Sequence, residues 1–249
     1  MPTRGHMRAN PVLYGLDTIL LAQNCPSFID TSACFNGYAH ATAPDMDWAY
    51  ALGSRQRFTS HSVHDMLKFL ECVNNLLPTA AHLHTSALCL EEAHRVTNVY
   101  LGKVGRSYPQ YLETMRHQLT LLTSRLQQRV AAFDEQFVYE HWPDEKFDTW
   151  MRAALAKEGK VSKPSHNDLH LLLLTLYQIA KPEGSTSSAL ITSDQGHPDA
   201  AHMLFRRMDD APNLTKDFKR LLRNRLAKKK REFRVFLRRY QMPFEQVYP

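Results

Sequence analysis

The sequence predicts an α/β fold with a central, mostly parallel sheet that helices cover on both faces. Short apolar segments typical of buried strands lie at residues 27–29, 82–85 and 189–192. Between them, apolar residues recur every three or four positions, which is the spacing of amphipathic helices. Strands that alternate with helices favour parallel pairing, because each helix can serve as the crossover between two parallel strands. The helix content is expected to be above average.

Several of the predicted helices have clear start or stop signals. The helix at 62–77 begins with a Ser-x-x-Asp capping box and stops at Pro78, and the apolar helix at 165–180 has the same kind of start. Pro198 lies in the first turn of the helix at 198–208, a position that proline favours. The predicted helices are 11–23, 45–52, 62–77, 86–101, 109–138, 144–157, 165–180, 198–208 and 216–240.

Composition indicates a globular protein. The 249 residues are 43% hydrophobic, which is enough for a substantial core. We expect one domain over 1–215, with a helical insertion at about 105–160, followed by a basic helix and tail over 216–249. No run approaches the roughly 18 apolar residues of a membrane span, and the N-terminus lacks a secretory signal. The four cysteines form no Cys-x-x-Cys pair, which is typical of reduced thiols in a cytoplasmic protein.

Four acidic residues lie after predicted strands or on predicted helices. Asp30 and Asp194 follow apolar strands, while Glu92 and Asp168 lie on helices. The carboxyl ends of parallel strands meet at one edge of a sheet, where carboxylates repel one another unless a cation lies between them. Oxygen ligands suit Mg²⁺ or Mn²⁺, and these ions drive phosphodiester hydrolysis. We therefore predict that the four residues are catalytic metal ligands.

Each of these acids also has an ordinary structural interpretation. Asp30 or Asp168 could cap a helix, because a side-chain oxygen there accepts hydrogen bonds from free backbone N–H groups. Asp194 could be a turn residue. Glu92 neighbours Glu91, and only one of the two can face inwards; we favour Glu92.

Two histidines have the spacing of zinc ligands. His166 and His170 are four residues apart and share a helix face, but no Glu stands between them as in His-Glu-x-x-His. We interpret them as surface or core histidines.

Four segments resemble, in order, the motifs of the PIN-domain family. They are Phe28–Ser32, a strand that ends in Asp before Thr; Thr85–Ala93, a helix that carries an acid; His166–Leu172, an Asp at the start of an apolar helix; and Leu190–Asp194, a strand that ends in Thr-x-Asp. The match reaches from about residue 27 to residue 208. It implies a three-layer α/β/α fold and a metal-dependent ribonuclease whose clustered carboxylates bind Mg²⁺ or Mn²⁺.

Some neighbours of these motifs are candidate supporting residues. Thr31, Ser32 and Ser193 are expected to hold the ligands in place or to orient a water molecule. The family's further acid, two residues after the last motif, is missing, and Asp199 is the candidate that takes its place. The chain also differs from compact members of the family in the long stretch between its second and third motifs.

The C-terminal segment carries a strong positive charge. Residues 216–239 contain twelve Lys and Arg against two acids, which leaves +10 there and −4 in the remainder of a chain whose net charge is +6. A basic helix face neutralises phosphates, so we expect nucleic-acid contact. An anionic membrane surface, an acidic protein partner and a merely solvated face are the alternatives. The candidate nucleic-acid-binding residues are Arg220, Arg223, Lys228, Lys229, Lys230, Arg231 and Arg234.

Together these features predict a metal-dependent nuclease, expected to be a ribonuclease, that hydrolyses phosphodiester bonds with an activated water. A catalytically inactive PIN-like RNA-binding or scaffold protein is the first alternative. A different Mg²⁺-dependent phosphohydrolase is the second, although Asp30-Thr31-Ser32 stands where a haloacid-dehalogenase enzyme has Asp-x-Asp. RNA versus DNA, endo- versus exonuclease action, and a homo-oligomer or protein partner all stay open.

Overall fold

The structure is a computed structural model. It describes residues 25–35, 60–131, 144–160, 164–180, 187–192, 194, 196–212, 214–227, 232–237 and 244–248. The helices predicted at 11–23 and 45–52 lie outside the described residues.

The sheet has five strands in the order β2-β1-β3-β4-β5. The strands are β1 Ser27–Ile29, β2 Leu83–His84, β3 Ser187–Thr192, β4 Glu232–Leu237 and β5 Phe244–Tyr248. The pairs β1–β2, β1–β3 and β3–β4 are parallel, and only β5 runs antiparallel to its neighbour β4. The prediction of an α/β fold with a mostly parallel sheet is confirmed.

The described helices are α1 Thr31–Phe35, α2 Ser60–Leu76, α3 Ala87–Ser107, α4 Leu112–Gln127, α5 Asp144–Lys157, α6 His166–Ala180, α7 Gly196–Arg206 and α8 Lys216–Ala227. The predicted bounds of α5 are confirmed, and those of α2 and α6 are confirmed to within two residues. None of the described helices has the length and apolar character that crossing a bilayer requires.

Helices pack on both faces of the sheet because side chains alternate along each strand. Phe28 and Leu190 belong to a core cluster built mainly with α5, α6, α7 and α8. Ile29, Ala189 and Ile191 belong to a second cluster with α1, α2, α3 and α4. A strand that is covered on both faces is apolar throughout rather than alternating, which explains the continuous apolar run of β3.

The prediction of one helix over 216–240 agrees with α8 and is wrong at residues 232–237. Residues 232–237 instead form β4, which pairs with β3 along its whole length. The apolar residues Phe233, Val235 and Leu237 also fit a period of two, and aromatic and β-branched residues suit strands. The edge of β3 offers six pairing positions to this segment. Pairing there favours the strand, with its period of two, over the helix.

The prediction of one helix over 109–138 is also wrong at its end. Helix α4 stops at Gln127, and Val130 forms a parallel bridge with Thr85, directly after β2. The N–H of Thr85 donates to the carbonyl of Arg129 over 2.9 Å, and the N–H of Ala131 donates to the carbonyl of Thr85 over 3.1 Å. The apolar spacing cannot reveal this end, because Val130 continues the helical period while its backbone pairs with a distant segment.

Candidate metal centre

Asp30 lies at the carboxyl edge of the sheet and is only 3% exposed. Its N–H donates to the carbonyl of Ile191 over 2.9 Å, which places it directly after β1 and beside the end of β3. Its Oδ2 accepts hydrogen bonds from the hydroxyl of Thr192, over 3.0 Å, and from the hydroxyl of Ser32. Two neighbouring hydroxyls therefore hold this carboxylate in place.

Burial raises the pKa of Asp30 to about 6, and the charge of Asp168 acts in the same direction. His197 and the hydroxyls of Ser32 and Thr192 oppose this rise in the pKa by favouring the charged form. The site therefore keeps a carboxyl group in surroundings that penalise its charge. A bound cation relieves that penalty.

Asp168 has two roles at the start of α6. Its Oδ2 accepts a hydrogen bond from the N–H of Ser165 over 2.5 Å, while its own N–H donates to the hydroxyl of Ser165 over 3.2 Å. This reciprocal pair is the capping box that the sequence indicates. The other oxygen, Oδ1, lies 3.7 Å from Nε2 of His197. The capping interpretation and the ligand interpretation are therefore compatible.

His197 completes the cluster from the first turn of α7. Its side chain is fully buried, with Nε2 lying 3.9 Å from Oδ2 of Asp30 and 3.7 Å from Oδ1 of Asp168. Neither ring nitrogen has a hydrogen-bond partner among the residues that the structure describes. A buried polar group without a hydrogen-bond partner costs free energy. Nε2 of His197 is such a group, and it faces the two carboxylates.

The three side chains form a group that could hold a metal ion. Asp30, Asp168 and His197 each offer one ligand atom, and these atoms all lie within 4.8 Å of one another. Carboxylate oxygens and imidazole nitrogens are the ordinary protein donors for divalent cations. An ion would neutralise the carboxylates and would satisfy the ring nitrogen, so the residues fit a divalent metal.

The structure places Glu92 close to this cluster but not within it. The half-buried Glu92 accepts a hydrogen bond from the amide of Asn167 over 3.2 Å, and Asn167 adjoins Asp168. Glu91, the alternative, is exposed. The preference for Glu92 over Glu91 as the inward residue fits this arrangement, and a role as ligand stays a prediction.

Asp194 forms the turn between β3 and α7. Its Oδ1 accepts a hydrogen bond from the N–H of Gly196 over 2.6 Å, and its own N–H donates to the hydroxyl of Thr192 over 2.9 Å. The side chain is exposed and does not belong to the group of three. The structure thus shows the turn interpretation, while the prediction of a fourth ligand here stays a prediction.

The candidate supporting residues have different surroundings. Ser32 contacts Asp30, as its position beside the motif suggests. Thr31 instead donates to the carbonyl of Cys89 over 3.0 Å, which ties α1 to α3. Asp199 pairs with Nζ of Lys160 over 3.1 Å and is not one of the three grouped residues, so its role as the missing acid stays a prediction. Ser193 lies outside the described residues.

The sequence analysis missed His197 and Thr192. The signal for His197 was the segment Gly196-His197-Pro198, which starts a helix directly after a strand and so brings its first turn to the carboxyl edge. An acid was sought there and a histidine was not. Thr192, which belongs to the Leu190–Asp194 motif, contacts Asp30 through its hydroxyl.

The other two histidines match their ordinary interpretation. His166, which is 43% exposed, has its Nδ1 2.9 Å from Oδ2 of Asp148, and its ring stacks on that of His170. His170 is buried, and this burial, together with the charge of His166, lowers its pKa to about 4. Neither ring belongs to the group of three candidate ligands.

The basic residues of α8 have acidic neighbours. Nη2 of Arg220 lies 2.9 Å from Oδ1 of Asp217, and Arg223 pairs with Asp209. Lys219 donates to the carbonyl of Asp209 over 3.0 Å. Phe218 and Leu222 of the same helix are buried in the core.

Arg234 is the one remaining candidate nucleic-acid-binding residue that the structure describes. Arg234 lies on β4 and not on a helix, which corrects the prediction of one continuous basic helix face. The other four, Lys228, Lys229, Lys230 and Arg231, lie outside the described residues.

Comparison of the chain with family models, with curated proteins and with solved structures gave no match.

Proposed function

We propose that this chain is a PIN-like, metal-dependent nuclease that hydrolyses phosphodiester bonds in RNA. The observation that carries the proposal is the buried Asp30–Asp168–His197 cluster at the carboxyl edge of a parallel sheet. This edge is where open α/β folds bind their ligands. Helices on both faces of the sheet are compatible with the three-layer α/β/α fold of the family.

The arrangement of the motifs supports the family resemblance. Three of the four resembling segments meet at the cluster: the end of β1, the start of α6 and the junction of β3 with α7. The remaining segment, Thr85–Ala93, contacts the cluster indirectly, because Glu92 accepts a hydrogen bond from Asn167, which adjoins Asp168. Segments that are distant along the chain thus converge on the cluster, which supports the proposal of a nuclease of this type.

The protein's own groups can perform the positioning that such a reaction needs. The hydroxyls of Ser32 and Thr192 orient Asp30, and the capping box orients Asp168. Hydrogen bonds of this kind to ligand side chains keep a metal site in a productive geometry. A divalent cation, Mg²⁺ or Mn²⁺, would supply the Lewis acidity that activates water and offsets phosphate charge.

The basic C-terminal segment supports nucleic acid as the substrate. An acidic cluster repels phosphates, whereas residues 216–239 carry a balance of +10 that attracts them. RNA rather than DNA follows only from the family resemblance. No disulfide joins Cys25, Cys34, Cys72 or Cys89, all of which the structure describes, and this suits a reducing, cytoplasmic compartment.

The test is cleavage of labelled single-stranded RNA with Mn²⁺, with Mg²⁺ and with a chelator. We expect Asp30→Asn and Asp168→Asn to reduce metal-dependent cleavage by at least about 100-fold, because metal ions supply several kcal/mol of transition-state stabilisation. Glu158→Gln is the matched control, since this largely buried carboxylate pairs with Arg206 over 2.8 Å, outside the cluster. It should cleave like the wild type.

Two results would contradict the proposal. If the wild type binds RNA in a salt-sensitive way but never cleaves it, the inactive RNA-binding alternative is correct. If Asp30→Asn, Asp168→Asn and Glu158→Gln all cleave equally, the activity lies elsewhere or comes from a contaminant.

A further inference from the structure

We propose that His197 is a direct nitrogen ligand of the metal centre and that it makes the site select first-row transition ions over Mg²⁺. The proposal rests on the metal-binding part of the proposed function and not on cleavage of RNA. It departs from the all-carboxylate site that the family resemblance implies, because the residue in question was not among the expected ligands.

The distances around His197 suit an ion between the three side chains. Nε2 lies 3.9 Å from Oδ2 of Asp30 and 3.7 Å from Oδ1 of Asp168. Both separations exceed the roughly 3.2 Å limit of a good hydrogen bond. They are also shorter than two metal–ligand bonds of about 2.1 Å each placed end to end, so one ion can contact the nitrogen and either oxygen.

The simplest rival interpretation is an ion pair in which a protonated His197 neutralises both carboxylates. Charge-assisted N–H···O bonds are short, about 2.7–2.9 Å, and this fully buried ring makes none at that length to Asp30 or Asp168. Ordinary core burial of a neutral ring fits no better, because both ring nitrogens lack a hydrogen-bond partner within the described part of the chain. Metal ligation satisfies Nε2 and the carboxylates together.

The local backbone holds His197 where ligation requires it. The N–H of Gly196 binds Oδ1 of Asp194 over 2.6 Å, which starts α7 directly before His197. A Cβ added at Gly196 would lie 3.4 Å from Cα of Pro164 and 3.2 Å from the Asp194 carboxylate. The start of α7 therefore lies close to Pro164, which leads into α6, and this places His197 beside Asp168. In this arrangement Asp194 is a positioning residue.

The donor set decides which ions the site favours. Mg²⁺ is a hard ion that prefers oxygen ligands and dehydrates reluctantly. An imidazole nitrogen adds affinity for Mn²⁺, Co²⁺ and Zn²⁺, in increasing strength along the first transition row. Three protein ligands from nitrogen and oxygen donors also match the count at catalytic zinc sites, which leave one position open.

The decisive experiment is pulsed electron paramagnetic resonance of Mn²⁺ bound to the full-length protein. We expect electron-spin-echo modulation from a directly coordinated nitrogen in the wild type. That modulation should be absent in His197→Phe, which keeps an aromatic ring of similar size but has no nitrogen. A wild-type spectrum without nitrogen modulation would overturn the proposal, and this measurement needs no variant to fold.

Calorimetric titration with Mg²⁺, Mn²⁺ and Co²⁺ tests the selectivity. We expect the wild type to bind Mn²⁺ at least about 10-fold more tightly than Mg²⁺, and Co²⁺ more tightly again. His197→Phe should lose most of this preference for Mn²⁺ over Mg²⁺. His197→Asp, which supplies an oxygen donor instead of nitrogen, should bind Mg²⁺ relatively better than the wild type does. His170→Phe is the matched control: it replaces another buried histidine, outside the cluster, and should keep the wild-type ratio. Equal ratios in the wild type and in His197→Phe would overturn the proposal.

Failure of this proposal is distinguishable from failure of the nuclease proposal. Nitrogen modulation without RNA cleavage would leave the ligand assignment intact and remove the nuclease. Cleavage supported by Mg²⁺, without nitrogen modulation in the Mn²⁺ form, would leave the nuclease proposal intact and remove the assignment of His197 as a ligand. If calorimetry detects no binding of any of the three ions, both proposals are wrong.

Discussion

The carboxyl-edge cluster and the basic face of α8 are both candidate functional regions, but their charged side chains differ in exposure and in charge compensation. Asp30, Asp168 and His197 are largely shielded from solvent, and the ring nitrogens of His197 have no partner among the described residues. Arg220 and Arg223 are 71% and 47% exposed and pair with acids of the same region. Charge at the first site is poorly compensated, whereas charge at the second is paired and solvated.

This difference matters because the two arrangements have very different energetic costs. Burying ionisable groups without full compensation costs several kcal/mol per group in effective terms. Exposed ion pairs are worth about 0–1 kcal/mol and impose little on the fold. An arrangement that costs stability and still persists is a better indication of a binding site than an inexpensive one. We therefore assign the chemistry to the cluster and only a collective, salt-dependent attraction to α8.

The largest expected effect separates Asp30 from Asp194, the two acids that follow strands. Asp30→Asn should weaken Mn²⁺ binding by at least about 100-fold, because it removes the charge of a proposed ligand. Loss of a hydrogen-bond partner of a ligand already costs about 10–100-fold in metal affinity, and loss of the ligand's charge should cost more. Asp194→Asn should bind Mn²⁺ almost normally, because the asparagine oxygen can still accept the hydrogen bond from Gly196. Asp194→Ala should weaken binding by about 10-fold through loss of that turn. Calorimetry measures the Mn²⁺ affinity of all three variants. If Asp194→Asn binds Mn²⁺ as weakly as Asp30→Asn does, Asp194 is a metal ligand after all.

The next effect concerns the stability of the metal-free protein. The pKa of Asp30 is raised from 3.8 to about 6 in the folded state. Between these values the folded protein retains a proton that the unfolded chain releases, so the free energy of unfolding falls as the pH rises through this window. Asp30→Asn lacks the penalty and should be more stable than the wild type at neutral pH, by at most about 3 kcal/mol.

Urea unfolding in the presence of a chelator checks this prediction. The advantage of Asp30→Asn should be greatest above about pH 6 and should disappear below about pH 3, where the wild-type carboxyl is protonated in both states. An advantage that does not change with pH would show that the substitution acts through packing rather than through charge.

A smaller effect is expected from the hydroxyl that orients Asp30. Thr192→Val removes the 3.0 Å hydrogen bond to Oδ2 of Asp30 and should weaken Mn²⁺ binding by about 10-fold. Thr175→Val is the matched control, because this buried hydroxyl donates to the carbonyl of Leu171 within α6. Both variants should lose comparable stability, but only Thr192→Val should change metal affinity. Equal Mn²⁺ affinities in the two variants would mean that Thr192 has no role in orienting the site.

The smallest effect is expected on the basic face. The double variant Arg220→Gln/Arg223→Gln should change RNA affinity by no more than about 3-fold and thermal stability only slightly, because both arginines are already paired with acids. Replacement of Lys228, Lys229, Lys230 and Arg231 by glutamine should lower the salt dependence of RNA binding more strongly. Fluorescence anisotropy over a range of salt concentrations compares the two sets. A larger loss of affinity from the double variant would show that Arg220 and Arg223 release their acidic partners to bind phosphate.

Features that depend on neighbouring residues were accessible from the sequence. The strand before Asp30, the capping box at Ser165 and Asp168, and the bounds of α5 all follow from short-range patterns and agree with the structure. The expectation that Asp30 and Asp168 approach each other also holds, because parallel strands and the helix starts beside them share one edge.

What only the tertiary structure decided are choices between locally equivalent options. The segment 232–237 fits a helix and a strand almost equally well, and the unpaired edge of β3 selected the strand. Asp194 lies in the turn before α7 and His197 in its first turn, yet backbone geometry directs Asp194 to Gly196 and leaves His197 facing two carboxylates. The sequence alone determined the fold class and the acidic edge, since hydrophobic periodicity and helix capping are local. The identity of the third candidate ligand required the packing of α7 against the start of α6, because burial and orientation arise only when distant segments meet.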